Sequence, residues 1–392
     1  MTRSVLFVGH SAHRSGAPIV LLNFLKWLRE HDDGYFDVVL ATGGALLPDY
    51  RSVAKTEVRE DSMTLGDRIV RRSVGVRAWE HRRDAGWARR VARRGYDLAY
   101  VNTVVPRREL VALAAQGIPA ICHVHELDYV VQHLLGDEGV APLIPLVRRF
   151  IAASASVHEF LVDRCAVPRD KVTLVHEFTP LLSRGDQTEG RRVVRSSLGL
   201  SESDVLVGAC GTVEWRKGAD LFLQVARRVA SSPRGRRVRF VWLGTVHGSH
   251  ESRQFGHDLQ RAGLAGIVTA MESVQDPSEV FAAMDIFALT SREDPFPLVM
   301  LEAAARELPI VCFAQSGGGP EFVADDAGLI APYLDADRFA DHVLLLAEDA
   351  ELRARLGSAG DRRVREHYSA DVQAPKLQAV INEVADLASR RT

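Results

Sequence analysis

Short apolar runs rich in valine, isoleucine and alanine alternate with longer stretches of helical periodicity over nearly the whole chain. The runs at 4–9, 36–42, 97–103, 119–125, 150–155 and 171–178 are short and almost continuously apolar, which predicts buried strands. The run at 4–9 is followed by an apolar stripe at Ile19, Leu22, Phe24, Leu25 and Leu28, a helix. Strand then helix, repeated, is the pattern of parallel sheets with crossover helices. The segment Ser183-Arg-Gly-Asp-Gln-Thr-Glu-Gly190 is polar and breaks the series, and it reads as a linker. The pattern then restarts, with strands expected at 205–211, 238–244, 266–270, 285–290, 309–314 and 327–331. From Ser369 the tail is helical and amphipathic, expected to pack back toward the first domain.

The expected fold class is therefore α/β, with two doubly wound, Rossmann-like domains facing across a cleft. The first covers 1–182, a linker covers 183–199, the second covers 200–368, and a C-terminal crossover helix covers 369–392. At 392 residues, each half is long enough for its own core.

Composition narrows the function classes. Hydrophobic residues make up 46% and charged residues 26%, as in ordinary soluble globular proteins. A formal net charge of −2 gives no overall attraction for nucleic acid. The four cysteines, Cys122, Cys165, Cys210 and Cys312, are widely spaced, and all but Cys165 lie in strand-like runs. They read as reduced core thiols in a reducing compartment. The apolar start at 4–9 is shorter than a signal peptide requires, and no run reaches the roughly 18 apolar residues of a membrane span. The expected location is cytoplasmic. Only five of the 49 basic residues are lysines, so a lysine in a loop is the rarer event.

Ligands of open parallel sheets bind beyond the carboxyl ends of the strands, so the loops there carry the candidate chemistry. Ser291-Arg-Glu-Asp-Pro-Phe-Pro-Leu-Val-Met-Leu-Glu302 sets an acidic turn before an apolar helix carrying a second acid. Free N–H groups at a helix start attract phosphate, and carboxylates accept hydrogen bonds from sugar hydroxyls. A ligand carrying both groups, such as a nucleotide sugar, suits this unit. Gly211-Thr-Val-Glu-Trp-Arg-Lys-Gly218 puts Arg216 and Lys217 at a helix start, where positive charge is unfavourable unless an anion occupies the place. The alternative is a solvated basic pair. Gln315-Ser-Gly-Gly-Gly-Pro-Glu321 allows close backbone approach to a ligand, or is a simple turn.

In the first half, Ser15-Gly16-Ala17 could lend amides to a phosphate, or be a plain strand-to-helix turn. His123-Val-His-Glu126 places two histidines on one strand face, with Glu126 on the other. A donor to substrate, a core histidine and a metal ligand are the readings, and His125 at the strand end is the better donor. The stretch 67–94 holds ten arginines, among them Arg68, Arg71, Arg72, Arg90 and Arg94, interleaved with Trp79, Trp87 and Val91. It is either a solvated helix pair or a surface for peripheral contact with anionic lipid or an acidic acceptor.

Together these loops resemble the retaining glycosyltransferases of family 4, which have the GT-B fold. The resemblance covers nearly the whole chain and is strongest from Val205 to Pro332, where Gly-x5-Lys-Gly, acid-x7-Glu and Gly-Gly-x-Pro-Glu follow in the family's order. It implies that Lys217, helped by Arg216 and the loop residues Gly211 and Thr212, contacts the donor's diphosphate. It also implies that Glu302 holds the ribose and that Asp294, beside Glu293, lies near the transferred sugar. It further implies that the main chain of Phe296, Pro297 and Leu298, with Gly317 and Gly318, lines the donor. Gly16 and Ala17 would approach phosphate, and His125 would touch the sugar.

Three positions depart from the family. Asp294 replaces the usual glutamate, Thr212 replaces an arginine common after Gly211, and His176-Glu-Phe-Thr-Pro180 replaces an Asn-Gly turn. The resemblance implies transfer of a sugar from a nucleoside-diphosphate donor, uridine favoured over guanosine, to a hydroxyl acceptor with retention. No metal or other cofactor is expected. A sugar-nucleotide-binding regulatory protein and an epimerase or phosphorylase of the same fold are the alternatives. A dinucleotide oxidoreductase lacks its glycine fingerprint.

Overall fold

The computed structural model describes residues 3–60, 76–181 and 188–389. Among them, strands β1 (Ser4–Gly9), β2 (Tyr35–Leu40), β3 (Lys55–Val58), β4 (Leu98–Asn102), β5 (Ala120–Val124), β6 (Arg149–Ala152) and β7 (Val172–Leu174) form one sheet. Its order is β3-β2-β1-β4-β5-β6-β7, and every pairing is parallel. A second parallel sheet holds β8 (Val205–Cys210), β9 (Val238–Thr245), β10 (Val268–Glu272), β11 (Ile286–Leu289), β12 (Ile310–Phe313) and β13 (Gly328–Ala331). Its order is β10-β9-β8-β11-β12-β13. Every run expected to be a strand holds one. The strand not expected is β3, Lys-Thr-Glu-Val, whose mostly polar residues sit at a sheet edge where one flank meets solvent.

Both sheets reverse direction once. In the first, β1 lies beside β4, and in the second β8 lies beside β11. At such a point successive connections leave toward opposite faces, so the loops on either side diverge and leave a crevice at the carboxyl edge. Helices cover both faces, which is why all five residues of β4 and of β5 are buried. In the first core Phe7 packs edge-on against Phe24 and Phe36, with ring centroids 6.0 and 5.7 Å apart. In the second, Phe222 meets Phe240 and Trp242 in the same way, at 5.6 and 5.3 Å.

The chain divides into two compact units, Met1–Phe178 with Ala370–Thr392, and Thr179–Ser369. The last helix, Ala370–Ser389, belongs to the first unit, as its amphipathic pattern suggests. It buries Leu377, Val380, Ile381 and Val384. Asp386 pairs with Arg3 at 2.8 Å, Glu383 pairs with Arg149 at 2.5 Å, and Gln378 bonds Asp32. The N–H of Thr179 donates to the carbonyl of Tyr368 at 3.2 Å, so the two crossing strands of chain lie side by side.

One segment differs from expectation. Residues 188–197, within the expected linker, form a helix of the second unit, Thr188–Ser197. Arg191 and Arg195 stand one turn apart and both bind Asp285, at 2.7 and 3.0 Å, while also donating to carbonyls of Ala282, Ala283 and Met284. Polar composition there records a helix docked through charge rather than a loop. The rest of the polar segment, to residue 187, lies outside the described residues.

The arginine-rich stretch is partly described. In the helix Val76–Ala92, Trp79, Trp87 and Val91 are buried, while Arg82, Arg89 and Arg90 are exposed. Arg59 pairs with Asp84 at 2.6 Å and with Glu109, and lies 4.5 Å over the Trp87 ring, which ties this helix down. The tryptophans therefore face the core. Arg68, Arg71 and Arg72 lie outside the described residues. No described helix is long and apolar enough to cross a membrane.

Candidate functional site

The loops after β8, β11 and β12 meet at the carboxyl edge of the second sheet, around its point of reversal. After β8 the chain makes a tight turn, Trp215–Lys217, and Gly218 then opens the helix Ala219–Ala230 with φ +68°. A Cβ on Gly218 would lie 2.0 Å from the carbonyl oxygen of Thr290, so only glycine permits the approach. The Thr290 hydroxyl donates to the carbonyls of Gly218 and Lys217 at 3.0 and 3.2 Å. The N–H of Arg292 donates to the carbonyl of Arg216 at 2.7 Å. The first loop is thus seated on the end of β11.

The third loop is laced in similarly. The N–H of Asp294 donates to Ser316 O at 2.8 Å, and the N–H of Gly318 donates to Asp294 O at 3.0 Å. A Cβ on Gly318 would stand 2.4 Å from the Phe296 ring and from Pro295 O, which explains a glycine there. The aromatic ring of Phe296 and the side chain of Leu298 are buried, so a ligand role for 296–298 falls to the main chain.

The side chains converge on Asp294. Lys217 Nζ donates to Asp294 Oδ2 at 2.6 Å, Arg216 Nη1 to Oδ1 at 3.3 Å, and the Ser291 hydroxyl to Oδ2 at 3.1 Å. Burial alone would raise the Asp294 carboxyl, but the charges of Lys217 and then Arg216 outweigh it and hold the group below the usual range. Arg216 also pairs with Glu214 at 2.9 Å. For Arg216, burial works against the charge, yet Asp294, Glu214 and Glu293 together raise its pKa.

Glu302 lies in the helix Leu298–Ala304 and is half-buried. Its charge, after burial, helps push the Cys210 thiol up to about 12, while Lys217 works the other way. Glu302, Cys210 and Lys217 therefore share one neighbourhood. Thr212 is exposed on the first loop.

Sequence reasoning missed two supports. Arg292 forms a forked pair with Asp220, at 2.8 and 2.7 Å, donates to Trp215 O at 2.8 Å and lies 5.2 Å over the Trp215 ring. One arginine among many carried no signal, and its partners are distant in sequence. Ser291 was read as turn composition only.

The first unit holds the remaining candidates. Gly16 begins the helix Gly16–His31, after an extended Ser15 whose side chain makes no cap, and open space surrounds the position of a Cβ on Gly16. His125 is buried beyond β5. Its Nδ1 lies 2.8 Å from Glu177 Oε1 and its Nε2 lies 2.9 Å from Asn102 Oδ1. His123 sits deeper, its Nδ1 2.5 Å from the Tyr100 hydroxyl. Among the described residues, no group of three or more His, Cys, Asp or Glu is placed to hold a metal ion.

Residues 14–181 match the family described as Glycosyltransferase Family 4, and residues 204–349 match Glycosyl transferases group 1. The D-inositol 3-phosphate glycosyltransferase of Stackebrandtia nassauensis is 31% identical over 271 residues, covering 63% of this chain and 59% of that relative. The enzyme of the same description from Segniliparus rotundus is 27% identical, covering 79% and 68%. Among solved structures, Anabaena HepE in complex with UDP and glucose superposes with a TM-score of 0.77 at 19% identity, covering 96% of this chain and 99% of HepE. Sucrose-phosphate synthase from Thermosynechococcus elongatus gives 0.75 at 16% identity, covering 97% and 99%. With both halves matched and two Rossmann-like units in place, the chain belongs to the family 4 glycosyltransferases of GT-B type.

Proposed function

We propose that the protein transfers a sugar from a nucleoside-diphosphate donor to a hydroxyl acceptor, with retention at the anomeric carbon and without a metal ion. The observation that carries this is the meeting of Lys217 and Arg216 on Asp294, at the point where the second sheet reverses. Cleavage of the sugar–phosphate bond leaves an oxocarbenium-like sugar and a diphosphate. Lys217, Arg216 and nearby amides would stabilise that leaving charge, which is the role a metal ion plays elsewhere. Asp294 would accept from sugar hydroxyls and Glu302 from the ribose. In the first unit, Gly16 and Ala17 are proposed as backbone donors to phosphate.

UDP is the favoured carrier, a choice supported by the UDP and glucose bound to Anabaena HepE. The protein would be incubated with UDP-glucose and the released sugar followed by proton NMR. Retention predicts α-glucose appearing before β, with UDP accumulating, and a fall of about a hundredfold in Lys217→Ala. β-Glucose first would contradict retention. Binding without release from any sugar nucleotide would favour the regulatory reading.

A further inference from the structure

Three residues from separate strand ends of the first unit meet in one buried chain of hydrogen bonds. Asn102 ends β4, His125 follows β5, and Glu177 follows β7. The side chains of His125 and Glu177 are 4% and 5% exposed, so solvent does not compete for their bond. Asn102 Nδ2 donates to the carbonyl of Ala17 at 3.0 Å, which fixes the amide's orientation and turns its Oδ1 toward His125. Both ring nitrogens of His125 thus face side-chain oxygens, Glu177 Oε1 at 2.8 Å and Asn102 Oδ1 at 2.9 Å.

Further buried or half-buried polar groups surround this bridge. His10, at the end of β1, is lowered to about 4 by burial, then by His125 and His13. His123 is held well below its ordinary value by burial and then by His125. Tyr100, pushed up by burial, keeps its proton, and its hydroxyl lies 2.5 Å from His123 Nδ1. Glu126 accepts from the backbone N–H of His125 at 3.0 Å and of Val104 at 3.4 Å. Thr103, beside Asn102, is held at φ +76°, a costly place for a β-branched residue that persists only when its neighbours over-determine it.

We infer that Glu177 is a positioning residue: through His125 and Asn102 it fixes the first turn of the helix Gly16–His31. The inference rests on the transferase reading for its purpose, since that turn carries the Gly16 and Ala17 amides. With both nitrogens engaged, His125 serves the site by holding this edge in place, not by exchanging a proton with substrate.

The test uses the full chain, wild type and with Glu177→Gln, Glu177→Ala and Asn102→Ala. Side-chain nitrogen NMR of His125 at neutral pH is expected to show protons on both ring nitrogens in the wild type. In Glu177→Gln, Nδ1 is expected to lose its proton while Nε2 keeps its own. Amide exchange at Ile19 and the rest of the first helical turn should quicken about tenfold in Glu177→Ala and Asn102→Ala, with Ile310–Phe313 unchanged. With UDP-glucose, kcat should fall about tenfold and the donor KM should hardly move. An unchanged ring spectrum in Glu177→Gln, or an unchanged first turn in both alanine variants, would overturn the inference. If the wild type neither binds nor turns over UDP-glucose, the transferase reading fails there, while the ring and exchange results still decide the relay.

Discussion

Lys217 Nζ lies 2.6 Å from Asp294 Oδ2, so the cation proposed to meet the donor's diphosphate is neutralised by the acid proposed to meet its sugar. The pair joins two loops 77 residues apart and is mostly buried, at 12% and 7% side-chain exposure. A bound diphosphate must share Lys217 with this carboxylate. Asp294→Asn is therefore expected to bind UDP at least as tightly as wild type while turning over far less donor. Lys217→Met should weaken UDP binding more than tenfold. Calorimetric titration separates the two, and equal losses in both variants would contradict the assignment. Asp294→Asn also leaves two cations short of a partner, so a stability loss of about 2 kcal/mol is expected.

Two glycines make a contrasting pair. Gly218→Ala forces a Cβ to 2.0 Å from Thr290 O at φ +68°, with an expected loss of more than about 2 kcal/mol in chemical denaturation. Gly16→Ala meets open space and should change stability by no more than about 0.5 kcal/mol. If Gly16→Ala nonetheless lowers transfer, close backbone approach of a ligand is the cause.

The strand pattern and the acid-x7-Glu spacing were legible because both are local: neighbouring residues decide them. The pairing of Lys217 with Asp294 was not, because sheet order rather than sequence distance brings β8 beside β11. The same holds for Asn102, His125 and Glu177, which lie on three strand ends. Nothing local revealed that Glu177 and Asn102 stand on either side of the His125 ring. The Thr188–Ser197 helix was lost for a different reason, since its arginines look like solvent-facing residues until Asp285 is placed opposite them.

Arg292→Lys keeps the charge but loses the fork that grips Asp220 and Trp215 O. Asp220 is half exposed, so screening limits the effect, and a loss of about 1 kcal/mol is expected. The looser Trp215–Lys217 turn should show as faster amide exchange at Lys217 and Gly218, whose N–H groups bond within it. Unchanged exchange there would show that Arg292 is not its clamp.

Acid should weaken the first unit through its buried histidines. His10 takes up a proton near pH 6.5 in the unfolded chain but only near 4 when folded, with burial the leading cause. As pH falls through that window the unfolded chain gains the proton first, so stability is lost from about pH 6.5 down to about 4. His10→Asn is expected to flatten the slope of unfolding free energy over that range, measured by urea denaturation at each pH. His123, also lowered, leaves a residual slope.

The central claim is tested most directly by thermal shift against a panel of nucleoside diphosphates and their sugars, with and without EDTA. The same panel is run on Lys217→Ala and Glu302→Ala. A ligand that binds only the folded state raises its stability by RT ln(1 + [L]/Kd), so a selective donor stands out. The predicted result is stabilisation by a uridine-diphosphate sugar, indifferent to EDTA and lost in both variants. No shift from any nucleotide sugar, or variants that respond like wild type, would contradict the assignment of the site around Lys217, Asp294 and Glu302.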